Sequence, residues 1–138
     1  NPYAAVIPIF CKAFLENGEI TIFGDGETSR DFTYVDNAVL ANDLALFTDK
    51  TSALNQVYNT ACGDQVTLNE IVEMIKDISG KELKVKYGPE RPGDVKHSRA
   101  DIYKIQNLLG YEPKVRFRDG LDRVYNWYQG RIESGNKI

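Results

Sequence analysis

Short β-rich runs alternate along this chain with longer stretches whose apolar residues recur at helical spacing, and glycine or Asn-Gly punctuation closes most of those stretches. This alternation constrains the fold more than any other feature, because a period of two suits a half-buried strand and a period near 3.6 a helix with one buried face. It predicts a mixed α/β lobe with short strands and about five helices. After Pro8, the residues Phe10, Ala13 and Phe14 keep helical spacing until Asn17 and Gly18, so a helix is expected over about Pro8–Glu16. Ile20–Phe23 reads as a strand ending at Gly24, and the alternation from Arg30 to Val35 as a second one, with Gly24, Asp25 and Gly26 joining the two. Asp36 is placed to cap a helix that buries a face bearing Val39, Leu40, Leu44, Leu46 and Phe47.

Further along, Val57–Thr60 reads as a strand. Thr67 and Glu70 stand at capping-box spacing before Ile71, Val72, Ile75 and Ile78, with a stop at Ser79 and Gly80. Leu83–Tyr87 reads as a strand and Asp101–Leu109 as a helix closed by Gly110, with Ser98 a second candidate for its N-cap. Leu121, Val124, Trp127 and Tyr128 mark a last helix, packed through Tyr125, Trp127 and Tyr128, while Arg116, Arg118 and Asp119 read as a solvated face. One domain is expected over residues 1–133, followed by a frayed tail over 134–138.

The charge balance, 17 basic against 20 acidic residues, leaves no electrostatic footprint for nucleic acid. No apolar run reaches the length of a membrane span, and the apolar start is interrupted by Pro8 and lacks a basic leader. A soluble, cytoplasmic chain is expected. Cys11 and Cys62 sit in apolar surroundings without metal-ligand spacing, which predicts two buried thiols, no disulfide and no metal site.

Ligand chemistry concentrates in the stretch Glu90, Arg91, Pro92, Gly93, Asp94. Arg91 supplies a planar, permanently charged fork matched to phosphate, and Asp94 an acceptor suited to paired hydroxyls. Arg30, just beyond the glycine loop, adds a second positive charge for the same diphosphate. From the residues alone, Arg91 reads equally as a surface partner of Glu90 or Asp94, Arg30 as a partner of Asp31, and Asp94 as a turn former. His97, the sole histidine, has no nucleophile beside it and reads as structural or supporting. No catalytic set is evident: Gly24, Asp25 and Gly26 open no helix, no tyrosine has a lysine four residues on, and GxSxG and HExxH are missing. The start at Asn1 and Pro2 fits a portion of a longer polypeptide.

Three segments in order then resemble a known family: Tyr3–Pro8, Gly24–Val35 and Arg91–Ser98. They are similar to the carboxy-terminal half of the NAD-dependent sugar-nucleotide epimerases and dehydratases, an extended short-chain dehydrogenase group. The nearest resemblance is to UDP-N-acetylglucosamine 4-epimerases, with Leu108–Pro113 also matching. The resemblance implies a nucleotide-sugar-binding lobe, inactive alone, packed in a cytoplasmic homodimeric enzyme against an N-terminal lobe that holds NAD and the catalytic Tyr and Lys. It implies cell-surface polysaccharide biosynthesis, with oxidation at sugar C4, rotation of the keto intermediate and hydride return to the other face. By the same resemblance, Arg30 and Arg91 hold the diphosphate, Asp94 the ribose, and the backbone around Val6 and Ile7 the uracil. Thr21 and Phe23 line the nucleotide pocket, Phe32 lies near the ligand, and the small Ser98 leaves room for a 2-acetamido group. A lobe of a UDP-sugar dehydratase or decarboxylase is the alternative within the enzymes, and a non-catalytic nucleotide-sugar-binding module the alternative outside them. An apolar surface exposed by the missing lobe is expected to promote association.

Overall fold

A computed structural model describes residues 6–135, so the motif residues Tyr3, Ala4 and Ala5 and the last three tail positions lie outside the described residues. The described residues form a mixed α/β fold of five α-helices and four short strands. Internal contacts divide the chain into two compact units, and the sequence passes between them repeatedly. The first unit holds residues up to Ser29, Thr67–Lys96 and residues from Arg118 onward; the second holds Arg30–Val66 and His97–Phe117.

In the first unit, helix α1 (Val6–Leu15) carries Pro8 in its first turn, where a missing N–H costs no intrahelical bond. The helix ends where Asn17 turns left-handed at φ 53°, and the Gly18 amide reaches back to the Ala13 carbonyl at 2.8 Å. Lys81 Nζ donates to the Phe14 and Leu15 carbonyls, satisfying acceptors that the helix end leaves open. Strand β1 (Glu19–Phe23) alternates exposed and buried residues, turning Ile20 and Ile22 inward. It runs parallel to β4 (Lys84–Gly88), with Phe23 opposite Gly88 at their shared C-terminal end. Helix α3 (Leu68–Ser79) opens on a complete Thr67–Glu70 capping box and closes at Gly80 in the left-handed region. Phe10, Cys11 and Phe14 of α1, the two isoleucines of β1, and Ile71, Val72 and Ile75 of α3 are buried in this unit. So are Leu121 and Tyr125 of α5 (Phe117–Glu133).

In the second unit, α2 (Val35–Leu46), a 3₁₀ turn at Thr51–Ala53 and α4 (Tyr103–Leu109) enclose a core of Ala41, Ala53, Ile105, Leu109 and Tyr111. The Tyr111 hydroxyl donates to the Ala61 carbonyl at 2.9 Å. Asn37 is fully buried: its Nδ2 donates to the Val115 carbonyl at 2.7 Å, and its Oδ1 accepts from the amides of Lys114 and Val115. Such a side chain fixes a backbone segment distant in sequence while leaving no buried polar atom unmet. β2 (Ser29–Arg30) and β3 (Val66–Thr67) form a second two-stranded sheet where the chain passes between units.

Several expectations need correction. The strand expected over Arg30–Val35 is confined to Ser29–Arg30, because Val35 already opens α2. Asp36 therefore lies inside the first turn, where its charge suits the helix dipole; Tyr34 occupies the N-cap and makes no side-chain cap bond. The apolar face read for α2 is buried only in part: Leu40 and Leu44 pack half-buried on the core, Val39, Leu46 and Phe47 are exposed, and Asn37 and Ala41 are the buried positions. Val57–Thr60 joins no ladder among the described residues. Ser98 caps no helix, since α4 starts at Tyr103 with Ile102 at its N-cap, while Asp101 Oδ1, one residue earlier, accepts from the Tyr103 amide at 2.8 Å. Trp127 is exposed and Tyr125 buried, so only part of that aromatic cluster serves packing.

Both cysteines are buried and free. Among the described residues no helix is long and apolar enough to cross a membrane, and no group of three or more His, Cys, Asp or Glu is arranged to hold a metal.

Candidate functional site

The parallel pair β1 and β4 brings two loops to one edge of the first unit. Beyond Phe23 the chain turns through Gly24, Asp25 and Gly26; beyond Gly88 it turns through Arg91, Pro92, Gly93 and Asp94. The Gly24 amide donates to the Gly88 carbonyl at 3.0 Å, extending the strand pairing by one residue into the loops. The second loop is a β-turn: Pro92 sets its first corner, Gly93 takes φ 87° at its second, and the Asp94 amide donates to the Arg91 carbonyl at 3.3 Å.

Arg91 lies over the Phe23 ring, its guanidinium carbon 3.9 Å from the centroid. At that distance the cation is attracted to the ring face, and such a contact uses none of its N–H donors. No ion pair joins Arg91 to Glu90 or Asp94 among the described residues, so the surface-pair reading of this arginine does not hold. Thr21 and Phe23 share the exposed face of β1, and both approach Gly88 within about 4 Å of where a side chain would start. Thr21, Phe23, Arg91 and Asp94 therefore gather at one place, while Val6 and Ile7 form the half-buried first turn of α1 in the same unit.

Asn69, on the first turn of α3, ties the glycine loop down. Its Nδ2 donates to the Asp25 carbonyl at 3.1 Å and to Glu27 Oε1 at 2.6 Å, and its Oδ1 accepts from the Tyr87 hydroxyl of β4 at 3.0 Å. Its amide donates to the Gly26 carbonyl as well. Gly26, at φ 80°, has no room for a β-carbon, which would lie 2.0 Å from Asn69 Oδ1. Asp25 Oδ1 accepts from the Glu27 amide, and this bond, with Lys96 beside it, lowers the Asp25 carboxyl below its ordinary value. Asn69 escaped sequence reading because it carries no signal beyond its place in the helix's first turn.

The remaining candidates belong to the second unit. Arg30 is half-buried on β2, Phe32 packs its ring 5.1 Å from that of Phe117, and Ser98 is exposed. Between Arg30 and Phe32, Asp31 accepts three backbone amides: Cys62 at 3.0 Å, Gly63 at 3.0 Å and Ala100 at 3.3 Å. The only sequence hint of this role was its place beside Arg30, which suggested a local ion pair instead.

A family model described as GDP-mannose 4,6 dehydratase matches residues 3–124. A UDP-glucuronate 4-epimerase of Thermodesulfobacterium geofontis is 34% identical over 125 residues, covering 90% of this chain and 38% of that protein. The solved UDP-N-acetylglucosamine 4-epimerase of Methanobrevibacter ruminantium, in complex with UDP-N-acetylmuramic acid, is 40% identical with a TM-score of 0.84, over 95% of this chain and 41% of its own. The UDP-glucuronic acid 4-epimerase of Bacillus cereus, solved with UDP-glucuronic acid and NAD, is 35% identical with a TM-score of 0.84, over 94% and 40%. The chain thus spans about two fifths of the length of these relatives.

Proposed function

We propose that this chain, which belongs to the GDP-mannose 4,6 dehydratase family, is the nucleotide-sugar-binding lobe of a UDP-N-acetylhexosamine 4-epimerase. The observation that carries this reading is the Arg91 guanidinium held over the Phe23 ring beside the Asp94 turn, at the exit of two parallel strands. A permanently charged fork steadied over an aromatic ring is suited to the oxygens of a diphosphate. A carboxylate three residues on is suited to a ribose diol.

In this reading Arg30 adds the second cation, and the backbone at Val6 and Ile7 meets the uracil. Thr21 and Phe23 line the nucleotide, Phe32 stands by the ligand, and Ser98 leaves room for the 2-acetamido group. The similarity to an enzyme named for UDP-N-acetylglucosamine supports that choice of sugar. The described residues do not fit a dinucleotide: the glycine loop leads into β2 rather than a helix N-terminus, so no N-terminal amides face a pyrophosphate. NAD is accordingly assigned to the part of the enzyme this chain does not span, and the chain alone is inactive. What these residues contribute is a fixed grip on UDP that leaves the hexose free to turn. The whole enzyme is read as a cytoplasmic homodimer acting in cell-surface polysaccharide biosynthesis.

Calorimetric titration of the chain with UDP and UDP-N-acetylglucosamine at fixed salt tests the grip. Arg91→Ala and Arg30→Ala are each expected to weaken binding by about 2 to 5 kcal/mol. Binding that survives both substitutions unchanged would remove the diphosphate from these arginines.

A further inference from the structure

Apart from the candidate nucleotide site, the second unit contains a cleft of about 530 Å³. Its wall includes Arg99 and Arg116, together with Cys62, Gly63, Ala100 and Gln106. The chain has seven arginines. Arg91 stacks on Phe23, Arg131 on Trp127, Arg118 pairs with Asp77, and Arg30 and Arg123 have contacts of their own. Arg99 and Arg116 are the two that take no hydrogen bond, ion pair or ring contact among the described residues, and both line this one cleft. Guanidinium groups without a hydrogen-bond partner on a concave wall keep their N–H forks available to a small anion.

The wall is also pinned. Asp31 holds the amides of Cys62, Gly63 and Ala100 from one carboxylate, so three wall positions are fixed relative to one another before any ligand arrives. Gly63 adds to this: at φ 69° a β-carbon there would press on Ile102 Cδ1 at 3.0 Å, so the turn sits tight against the neighbouring wall residue. Asp101 is the acid on the wall, and its Oδ1 is committed to the Tyr103 amide. Two arginines stand against two carboxylates, Asp101 on the wall and Asp31 bonded to its Cys62, Gly63 and Ala100 amides (2 − 2 = 0), so an anion here is held by the guanidinium forks themselves and not by net charge. The amides of Cys62, Gly63 and Ala100 are engaged by Asp31 and that of Tyr103 by Asp101, so anion recognition is assigned to the two guanidinium forks, with Gln106 as a further donor.

We infer that this cleft binds a phosphate-bearing small molecule through Arg99 and Arg116, without a contribution from Arg91. The forks bond phosphate oxygens by charge-assisted pairs, and the free oxygen of Asp101 and the Gln106 amide suit hydroxyls of an attached sugar.

The test is titration of the full chain at fixed low ionic strength with inorganic pyrophosphate and, separately, ribose 5-phosphate. Amide chemical shifts would be followed in the parent chain, in Arg99→Gln, in Arg116→Gln, in the double variant and in Arg91→Ala. Saturable shifts at residues 99–106 are expected, with affinity falling about tenfold for each glutamine substitution and unchanged by Arg91→Ala. Tighter binding of ribose 5-phosphate would identify a sugar phosphate as the ligand class, and tighter binding of pyrophosphate a bare diphosphate. No saturable shift at these residues in the folded chain would overturn the proposal. Equal affinity in a double variant whose spectrum shows an intact fold would also overturn it, and loss of these shifts in Arg91→Ala would assign the anion to the nucleotide site instead.

Discussion

Replacing Asp31 with alanine would strand three amides at once, those of Cys62, Gly63 and Ala100. Hydrogen bonds to a charged acceptor are worth more than neutral ones, and water can reach this part-buried group, so a loss of about 2 to 4 kcal/mol is expected in urea unfolding. A change below about 1 kcal/mol would mean that water replaces the carboxylate. Cys11 makes a different prediction. Complete burial pushes its thiol from 9.0 up to about 12. The folded chain therefore keeps a proton that the unfolded chain releases, and the stabilisation present below pH 9 is lost as pH rises toward 12. Three pH units set an upper limit of about 4 kcal/mol. The Cys62 thiol, raised mainly by burial, acts in the same sense, so Cys11→Ala should reduce the decline measured between pH 8 and pH 10 without abolishing it. An unchanged pH slope in that variant would sink the assignment.

Among the elements, α3 was the most legible, because its capping box and its glycine stop are local devices: Glu70 amide to Thr67 Oγ1 at 3.1 Å, and Thr67 amide to Glu70 Oε2 at 2.7 Å. The glycine loop before β2 was legible as a turn, but its dependence on α3 was not. Gly26→Ala is expected to destabilise the chain by about 2 kcal/mol or more, from the positive φ and from collision with Asn69. Introduced into an Asn69→Ala chain, which has already lost that side chain's hydrogen bonds, Gly26→Ala should cost only the φ part of about 1 kcal/mol. Additive losses in the double variant, read by thermal unfolding, would show that the two residues do not meet. Strands were the weakest part of the sequence reading. Arg30–Val35 and Val57–Thr60 carry the right residue types, yet a strand exists only with a ladder partner, and the described residues supply one only at Ser29–Arg30. For α2, apolar spacing indicated a buried face, but burial depends on which neighbours pack there: Asn37 and Ala41 are buried, Leu40 and Leu44 only half so, and Val39 and Leu46 not at all.

At the scale of the whole molecule, several large apolar residues of the second unit stay exposed, with Leu46 at 74%, Phe47 at 80% and Val57 at 85% of their full accessibility. Such a surface favours association. Sedimentation velocity is expected to show concentration-dependent self-association that Phe47→Ser weakens; a monomer at every concentration would refute this. Each unit is assembled from segments that are not contiguous in sequence. The sequence by itself determined what local chemistry controls: the α/β class, the helix stops at Asn17, Gly80 and Gly110, the capping box, and the Pro92–Gly93 turn that carries Arg91 and Asp94. Tertiary structure alone decided that Arg91 lies on Phe23, that Asn69 holds the glycine loop, that Asp31 gathers three amides, and which face of α2 is buried. Those outcomes rest on pairings across tens of residues. Local propensity cannot fix them, because their free energy appears only once distant segments are packed together.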